Sequence, residues 1–349
     1  MVFTPPSDPP ASSSLAPRAS EGLPCRFGEY TLLRRRASGG MAELFVATRG
    51  SEAGTVVVKR VLPSLGADAD REALARLLLS EGRTIGALSY PGVPRLLDAG
   101  CVGDVPFIVL EHIHGEDLRS IVRQMRKRRV TEFPIEHALS IVRGVCEALA
   151  HVHERCDASG SPLGIVHRDV SPQNVLATFA GEVKLVDFGV ATGLSPLGAS
   201  STTGRPKGKL PYMSPEQARG ESVDGRSDVF AAGILLFELT TGHRLFKGAS
   251  EQETLERLVD RAYPRPSELV YGYAPALEAI VCAALAKDRA ERWSSARAMG
   301  AALDAFVRQE GVDATATALG RLVSSLFEEE IAEESAALAS ARVAAQALP

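Results

Sequence analysis

One pair of segments limits the folds open to this chain more than any other. His167-Arg168-Asp169-Val170-Ser171-Pro172-Gln173-Asn174 is followed, thirteen residues after Asn174, by Asp187-Phe188-Gly189. Asp169, Asn174 and Asp187 carry hard oxygens that hold a hard cation or accept a proton. Asp187 ends the apolar run Val183 to Val186, interrupted by Lys184, and so stands at the end of a strand. Either segment alone is short enough to arise by chance. Their order and spacing make chance a poor explanation.

The rest of the composition narrows the setting. At 349 residues the chain suits one large two-lobed domain or two smaller ones, and 45% hydrophobic content supplies a core. A formal net charge of −4 gives no general pull toward nucleic acid or an anionic membrane. The five cysteines, at 25, 101, 146, 156 and 282, are odd in number and form no CxxC pair. That argues against a disulfide framework or zinc site and for a reducing cytoplasm. No run reaches the ~20 apolar residues of a membrane span, and no secretory signal opens the chain. We expect a soluble, cytoplasmic protein.

Residues 1–26, rich in Pro, Ser and Ala, read as a disordered leader. Strand patterns follow from Phe27 to Leu62, including the run Thr55-Val56-Val57-Val58 that leads into Lys59. A helical pattern covers Ala69 to Leu88, and short apolar runs include Phe107-Ile108-Val109-Leu110. Helical patterns dominate from Glu116, broken by a strand-rich island at 166–190 and a polar loop at 192–211. The tail from Gly311 is rich in Ala and Glu and helical in part. On the helix at 69–88, Leu74, Leu78, Ile85 and Leu88 share a face with Glu81. A carboxylate there is costly unless paired. Glu81 therefore either meets a cation such as Lys59 or sits solvated at the stripe's edge.

Together these segments resemble the eukaryotic-like (bacterial) serine/threonine protein kinase family, in order, over about residues 28–307. The resemblance implies that Lys59 holds the α- and β-phosphates of ATP and that Glu81 pairs with it. It makes Asp169 the acceptor of the substrate hydroxyl's proton, and Asn174 and Asp187 the metal ligands. Arg168 would meet an activation-loop phosphate. Leu110-Glu111-His112-Ile113 resembles the hinge whose backbone binds adenine, with Asp117 near the ribose and Leu44, Val57 and Leu176 around the nucleotide. Met213-Ser214-Pro215-Glu216 resembles the APE segment, whose glutamate would form a buried ion pair with Arg292. Asp228 resembles the aspartate that braces the catalytic loop.

The pattern departs from the family in places. Ala37-Ser38-Gly39-Gly40-Met41-Ala42 stands where GxGxxG is expected, with alanine at the first and third glycines. Gly39 and Gly40 can still bring backbone N–H groups toward phosphate. Ser171 replaces the lysine two residues after the catalytic aspartate, and Lys209 follows Gly208 where the family has threonine. An exchange is one reading, with Lys209 serving the γ-phosphate and Ser171 the hydroxyl role. A solvated loop lysine is the other. Ser195, Ser200, Ser201, Thr202 and Thr203 offer phosphorylation sites, Thr203 and Ser201 foremost. Arg126-Lys127-Arg128-Arg129 reads as a solvated cluster complementing a helix dipole, with a docking site as the alternative. His151 and His153 read as structural or exposed, and Glu328-Glu329-Glu330 as a solvated face.

The expected fold is α+β, a two-lobed protein-kinase-like fold. A small β-rich N-lobe with one main helix spans about 27–111 and a larger, mostly helical C-lobe about 112–308. An extension at 309–349, helical in part, packs either on the large lobe or on a partner. The expected activity is transfer of the ATP γ-phosphate to protein Ser/Thr hydroxyls with Mg²⁺, Mn²⁺ being an alternative metal. Intact Lys59, Asp169, Asn174 and Asp187 weigh against the alternative of a pseudokinase scaffold, which the altered glycine loop and Ser171 motivate. Lys209 leaves dual specificity open.

Overall fold

The structure, a computed structural model, describes residues 22–38, 42–50, 54–62, 68–130, 132–188, 210–260 and 262–347. The chain divides into two compact units. The first takes the residues up to Leu79 with Leu96–His112 and Glu334 onward. The second takes Ser80–Arg95 and Ile113–Glu333.

The first unit is an antiparallel sheet. Its strands are β1 (Cys25–Phe27), β2 (Tyr30–Ser38), β3 (Ala42–Arg49), β4 (Val56–Val61), β5 (Leu96–Val102) and β6 (Val105–Glu111), in the order β1-β2-β3-β4-β6-β5. Strand β1 begins at Cys25, inside the segment expected to be leader. Side chains alternate between faces along a strand, so β4 serves two cores. Val58 packs with Phe27, Tyr30, Phe45 and Phe107 on one face. Val61 packs with Ile108 and with Leu78 on the other, Leu78 coming from helix α1 (Asp68–Ala87). The first face also holds a buried pair, Glu43 with Arg60, opposite one another across β3 and β4 at 3.2 Å. Arg60 lies over the Phe45 ring at 4.8 Å, so its charge is met by both a carboxylate and a π-face.

In the second unit, β7 (Gly115–Asp117), β8 (Val175–Thr178) and β9 (Val183–Leu185) form a small sheet in that order. The strand-rich island at 166–190 thus resolves into an irregular loop followed by two short strands. Helices α2 (Leu118–Lys127) and α3 (Ile135–His153) precede the loop. A short 3₁₀ turn (Leu210–Tyr212), α4 (Pro215–Arg219) and α5 (Gly225–Thr241) follow it. Every residue of α5 from Ser227 to Phe237 is buried, the mark of a helix running through a core. Asp224 caps its start, and Gly242, at φ 73°, closes its end in the left-handed conformation glycine tolerates best. Helix α3 packs on α5 and on α9 (Ala296–Glu310). Helices α6 (Glu251–Val259), α7 (Pro266–Leu269) and α8 (Pro275–Ala284) complete this body.

The tail forms α10 (Ala316–Leu326) and α11 (Glu328–Gln346). Leu319, Val323 and Leu326 are buried, and α10 packs on α2, α3 and β8. Among the described residues no helix is long and apolar enough to cross a membrane.

Candidate active site

The loop from Val166 to Asn174 is held from several sides. Asp228, on the first turn of α5, is 1% exposed and accepts the backbone N–H of His167 and of Arg168, each at 2.8 Å. His153 Nε2 lies 2.7 Å from the same carboxylate. Burial opposes ionisation of Asp228, but the His153 hydrogen bond and the backbone N–H bond it accepts from Arg168 outweigh it, and its pKa is lowered. His153, expected to be structural or exposed, is therefore part of the brace. The sequence carries no signal for this, because the contact joins α3 to α5.

His167 is fully buried and its two ring nitrogens have opposite duties. Nδ1 accepts the Asp169 backbone N–H at 3.2 Å. Nε2 faces the Val186 carbonyl at 3.1 Å and must donate. A backbone N–H only donates and a carbonyl only accepts, so the ring is the neutral Nε2–H tautomer. Its edge contacts Phe188 at 4.7 Å between centroids. The imidazole thus ties the loop at 166–174 to the residues flanking Asp187.

Asn174 completes the loop. Its Nδ2 donates to both the backbone oxygen and Oδ2 of Asp169, each at 2.8 Å. With both amide hydrogens directed there, Oδ1 is the atom able to ligate a cation. The Asn174 carbonyl accepts the Val186 N–H at 2.9 Å, which fixes Asn174 beside the approach to Asp187. Asp187 and Arg168 adopt φ of 69° and 65°, a strained region for residues with a Cβ. Such strain persists only where the surroundings over-determine it, as the Asp228 and Val186 bonds do here.

Other expected residues take definite places. In the first unit Leu44 pairs with Lys59 and Val57 with Leu110 across strands, so Leu44, Val57 and Lys59 share the face that carries Ile108. In the hinge segment Glu111 ends β6, and Ile113 follows it half-buried. Glu81 is 3% exposed, which removes the solvated alternative. Asp117 stands opposite Leu176 in the β7–β8 pair, and its carboxylate caps α2 by accepting from Ser120 N–H and Oγ–H at 2.9 and 2.8 Å. The basic run at 126–129 divides: Arg126 and Lys127 end α2, while Arg128 donates to the Ser325 carbonyl at 2.9 Å. Gly39, Gly40, Lys209 and the hydroxyls from Ser195 to Thr203 lie outside the described residues.

Below the loop the Glu216–Arg292 pair forms as expected, two-pronged at 2.7 and 2.8 Å and buried, with Ser227 donating to Glu216 at 2.5 Å. Gln217 Nε2 donates to the Arg168 carbonyl at 2.9 Å, so α4 also holds the loop that carries Asp169. Sequence reasoning missed this contact, although Ser214-x-x-Gln217 is a capping-box spacing that announces the helix start. Tyr212 donates to Glu238 at 2.8 Å, anchoring the 3₁₀ turn to α5.

The family described as Protein kinase domain matches residues 30–303. Tyrosine-protein kinase MasK of Myxococcus xanthus is 35% identical over 308 residues, 87% of this chain and 47% of that protein. Probable serine/threonine-protein kinase CE0033 of Corynebacterium efficiens is 37% identical over 289 residues, covering 80% and 41%. Serine/threonine-protein kinase PknL of Mycobacterium tuberculosis is 33% identical over 282 residues, covering 80% and 66%. The chain thus spans about half the length of the first two relatives. The crystal structure of the Mycobacterium tuberculosis PknI kinase domain superposes with a TM-score of 0.61 at 25% identity, over 82% of this chain and 99% of that one.

Proposed function

The chain belongs to the protein kinase domain family, and from that premise we propose that it transfers the γ-phosphate of ATP to serine and threonine hydroxyls of proteins. The observation that carries the reading is the Asn174–Asp169 clamp. It fixes the Asp169 carboxylate and leaves the Asn174 Oδ1 free of the two amide hydrogens, an arrangement that would serve an incoming hydroxyl and a cation.

Asp169 would orient the acceptor hydroxyl and take its proton. Asp187 and Asn174 Oδ1 are hard oxygen donors that fit Mg²⁺, or Mn²⁺, whose charge offsets the negative charge on the phosphates. Lys59 would meet the α- and β-phosphates, with Glu81 as its counter-charge. Glu111 and Ile113 would present hinge backbone to adenine, with Leu44, Val57 and Leu176 packing on the nucleotide and Asp117 near the ribose. Gly39 and Gly40 would offer N–H groups to phosphate. Catalysis on this plan is positioning and electrostatics.

Arg168 Nε is buried and has no hydrogen-bond partner among the described residues, which suits it to receive a phosphate from residues 195–203. Ser171 Oγ is likewise buried and unpartnered there, which suits a partner in the activation segment. Lys209 would then take the γ-phosphate role. We place the protein in the cytoplasm on its cysteine usage.

The test is transfer from γ-labelled ATP with Mg²⁺ to a generic protein substrate. Label with the wild type that disappears in both Asp169→Asn and Asp187→Asn supports the reading, and label that persists in both overturns it. Phosphoamino-acid analysis of the product distinguishes serine and threonine from tyrosine. Lys209→Ala should slow transfer with ATP binding retained, and unchanged turnover would sink the exchange with Ser171.

A further inference from the structure

Helix α2 divides into three faces. Leu118, Ile121 and Met125 are buried in the second unit. Gln124, and Arg128 just beyond the helix, reach the tail, Gln124 donating to the Leu326 carbonyl and to Glu330. Arg119, Arg123 and Arg126 are exposed on the third face. At ~100° per residue these three fall within an arc of about 60°.

The helix dipole does not explain them. Arg126, in the last turn, complements the negative end of α2. Arg119 lies in the first turn, where a cation is unfavourable, and that turn holds no acidic residue. Among the described residues none of the three arginines has an ion-pair partner. A like-charged stripe with no internal counter-charge repels itself.

Its position ties it to the catalytic loop. The Arg119 backbone N–H donates to the Pro172 carbonyl at 3.0 Å, three residues after Asp169. The Arg119 charge acts on Tyr212 and that of Arg126 on Glu238, the residues that anchor the 3₁₀ turn. Glu238 adds no open negative site there. It is enclosed by Tyr212 and Arg244, the latter at 3.2 Å and lying over the Tyr212 ring at 5.1 Å. From Arg119 to Arg126 the helix rises ~10 Å, about the length of three extended residues.

We propose that the Arg119–Arg123–Arg126 face of α2 is a docking surface for an acidic segment of the protein being phosphorylated. The inference deepens the kinase reading and rests on it for the identity of the occupant. A protein segment is favoured over nucleic acid or an anionic membrane on two grounds. The stripe is confined to one helix beside the catalytic loop, and the chain as a whole carries a net charge of −4.

The test uses the full chain and short fluorescent peptides with a central alanine in place of the acceptor, flanked by acidic, neutral or basic residues on either side. Binding by anisotropy needs no catalysis. The acidic peptide should bind on the order of tenfold tighter than the neutral one, and added salt should narrow the gap. Arg119→Glu/Arg123→Glu/Arg126→Glu should abolish the preference. Arg119→Gln/Arg123→Gln/Arg126→Gln should reduce it, and gives a second readout if charge reversal perturbs folding. Equal binding of acidic and neutral peptides, or a preference untouched in both variants, overturns the proposal. So does tighter binding of an oligonucleotide or of phosphatidylserine vesicles. With serine restored at the centre, acidic peptides that bind but take no label would leave the docking surface standing and count against the kinase reading. Label transferred without regard to flanking charge would do the reverse.

Discussion

At the scale of single residues, the site is set by carboxylates placed where burial alone would discharge them. Glu216 shows the balance. Burial opposes its ionisation, but hydrogen bonds from Arg292 and Ser227 outweigh it and bring its pKa from 4.5 down to about 2. A carboxylate with a lowered folded pKa adds stability that is present above its unfolded pKa and is lost as pH falls through the folded one. The Glu216 contribution should therefore fade between about pH 4.5 and 2. Glu216→Gln leaves Arg292 buried beside a neutral amide, which should cost roughly 3 kcal/mol at neutral pH. Urea denaturation across that range checks both parts. The variant should lose stability at pH 7 and show a flatter acid limb, and a limb as steep as the wild type's would place the acid sensitivity elsewhere. The motif residues were legible at this scale because hard oxygens at fixed spacing announce themselves. His153 was not, because one histidine on an apolar helix looks the same whether or not an aspartate waits across the core.

At the scale of elements, the tail is where local pattern says least. Ala- and Glu-rich residues favour helix in any setting, so the composition implied helices without saying what they pack against. The structure seats α10 on the β8–β9 turn through two facing glycines. Gly181, at φ 88°, would bring a Cβ within 1.7 Å of the Ala316 carbonyl, and Gly320 would bring one within 2.8 Å of the Ala180 backbone. Ser324 adds a bond to the Phe179 carbonyl at 3.2 Å. Gly181→Ala should thus suffer both backbone strain and overlap, at a cost of about 2–4 kcal/mol. Hydrogen exchange should show α10 losing protection before α5 does. Uniform loss across both helices would mean that α10 does not open separately.

At the scale of the whole molecule, the family match ends at residue 303, yet each compact unit draws on residues beyond it. In the second unit Leu319, Val323, Leu326 and Phe327 are buried. In the first, Glu334 of α11 meets Arg36 at 2.9 Å and Arg34 at 3.4 Å, exposed pairs worth little each. A chain ending at Gly311 would uncover the apolar ground beneath α10. At ~1.5–3 kcal/mol per large side chain, it should lose roughly 5 kcal/mol or more. Calorimetry should show a markedly lower Tm or aggregation. An unchanged Tm would make the tail an appendage rather than part of the core.

The sequence by itself determined the order of the elements, the loop that carries Asp169 and Asn174, the strand-borne Lys59 and the helix-borne Glu81. Hydrophobic period and the spacing of hard oxygens are local properties of a chain, and they survive without coordinates. Only the tertiary structure decided that Glu81 is buried and that Asn174 directs both amide hydrogens to Asp169. It alone brought His153 and Gln217 to the loop and tied the start of α2, at Arg119, to Pro172. Those outcomes depend on which helix faces which across a core, and close packing settles that only once every element is in place.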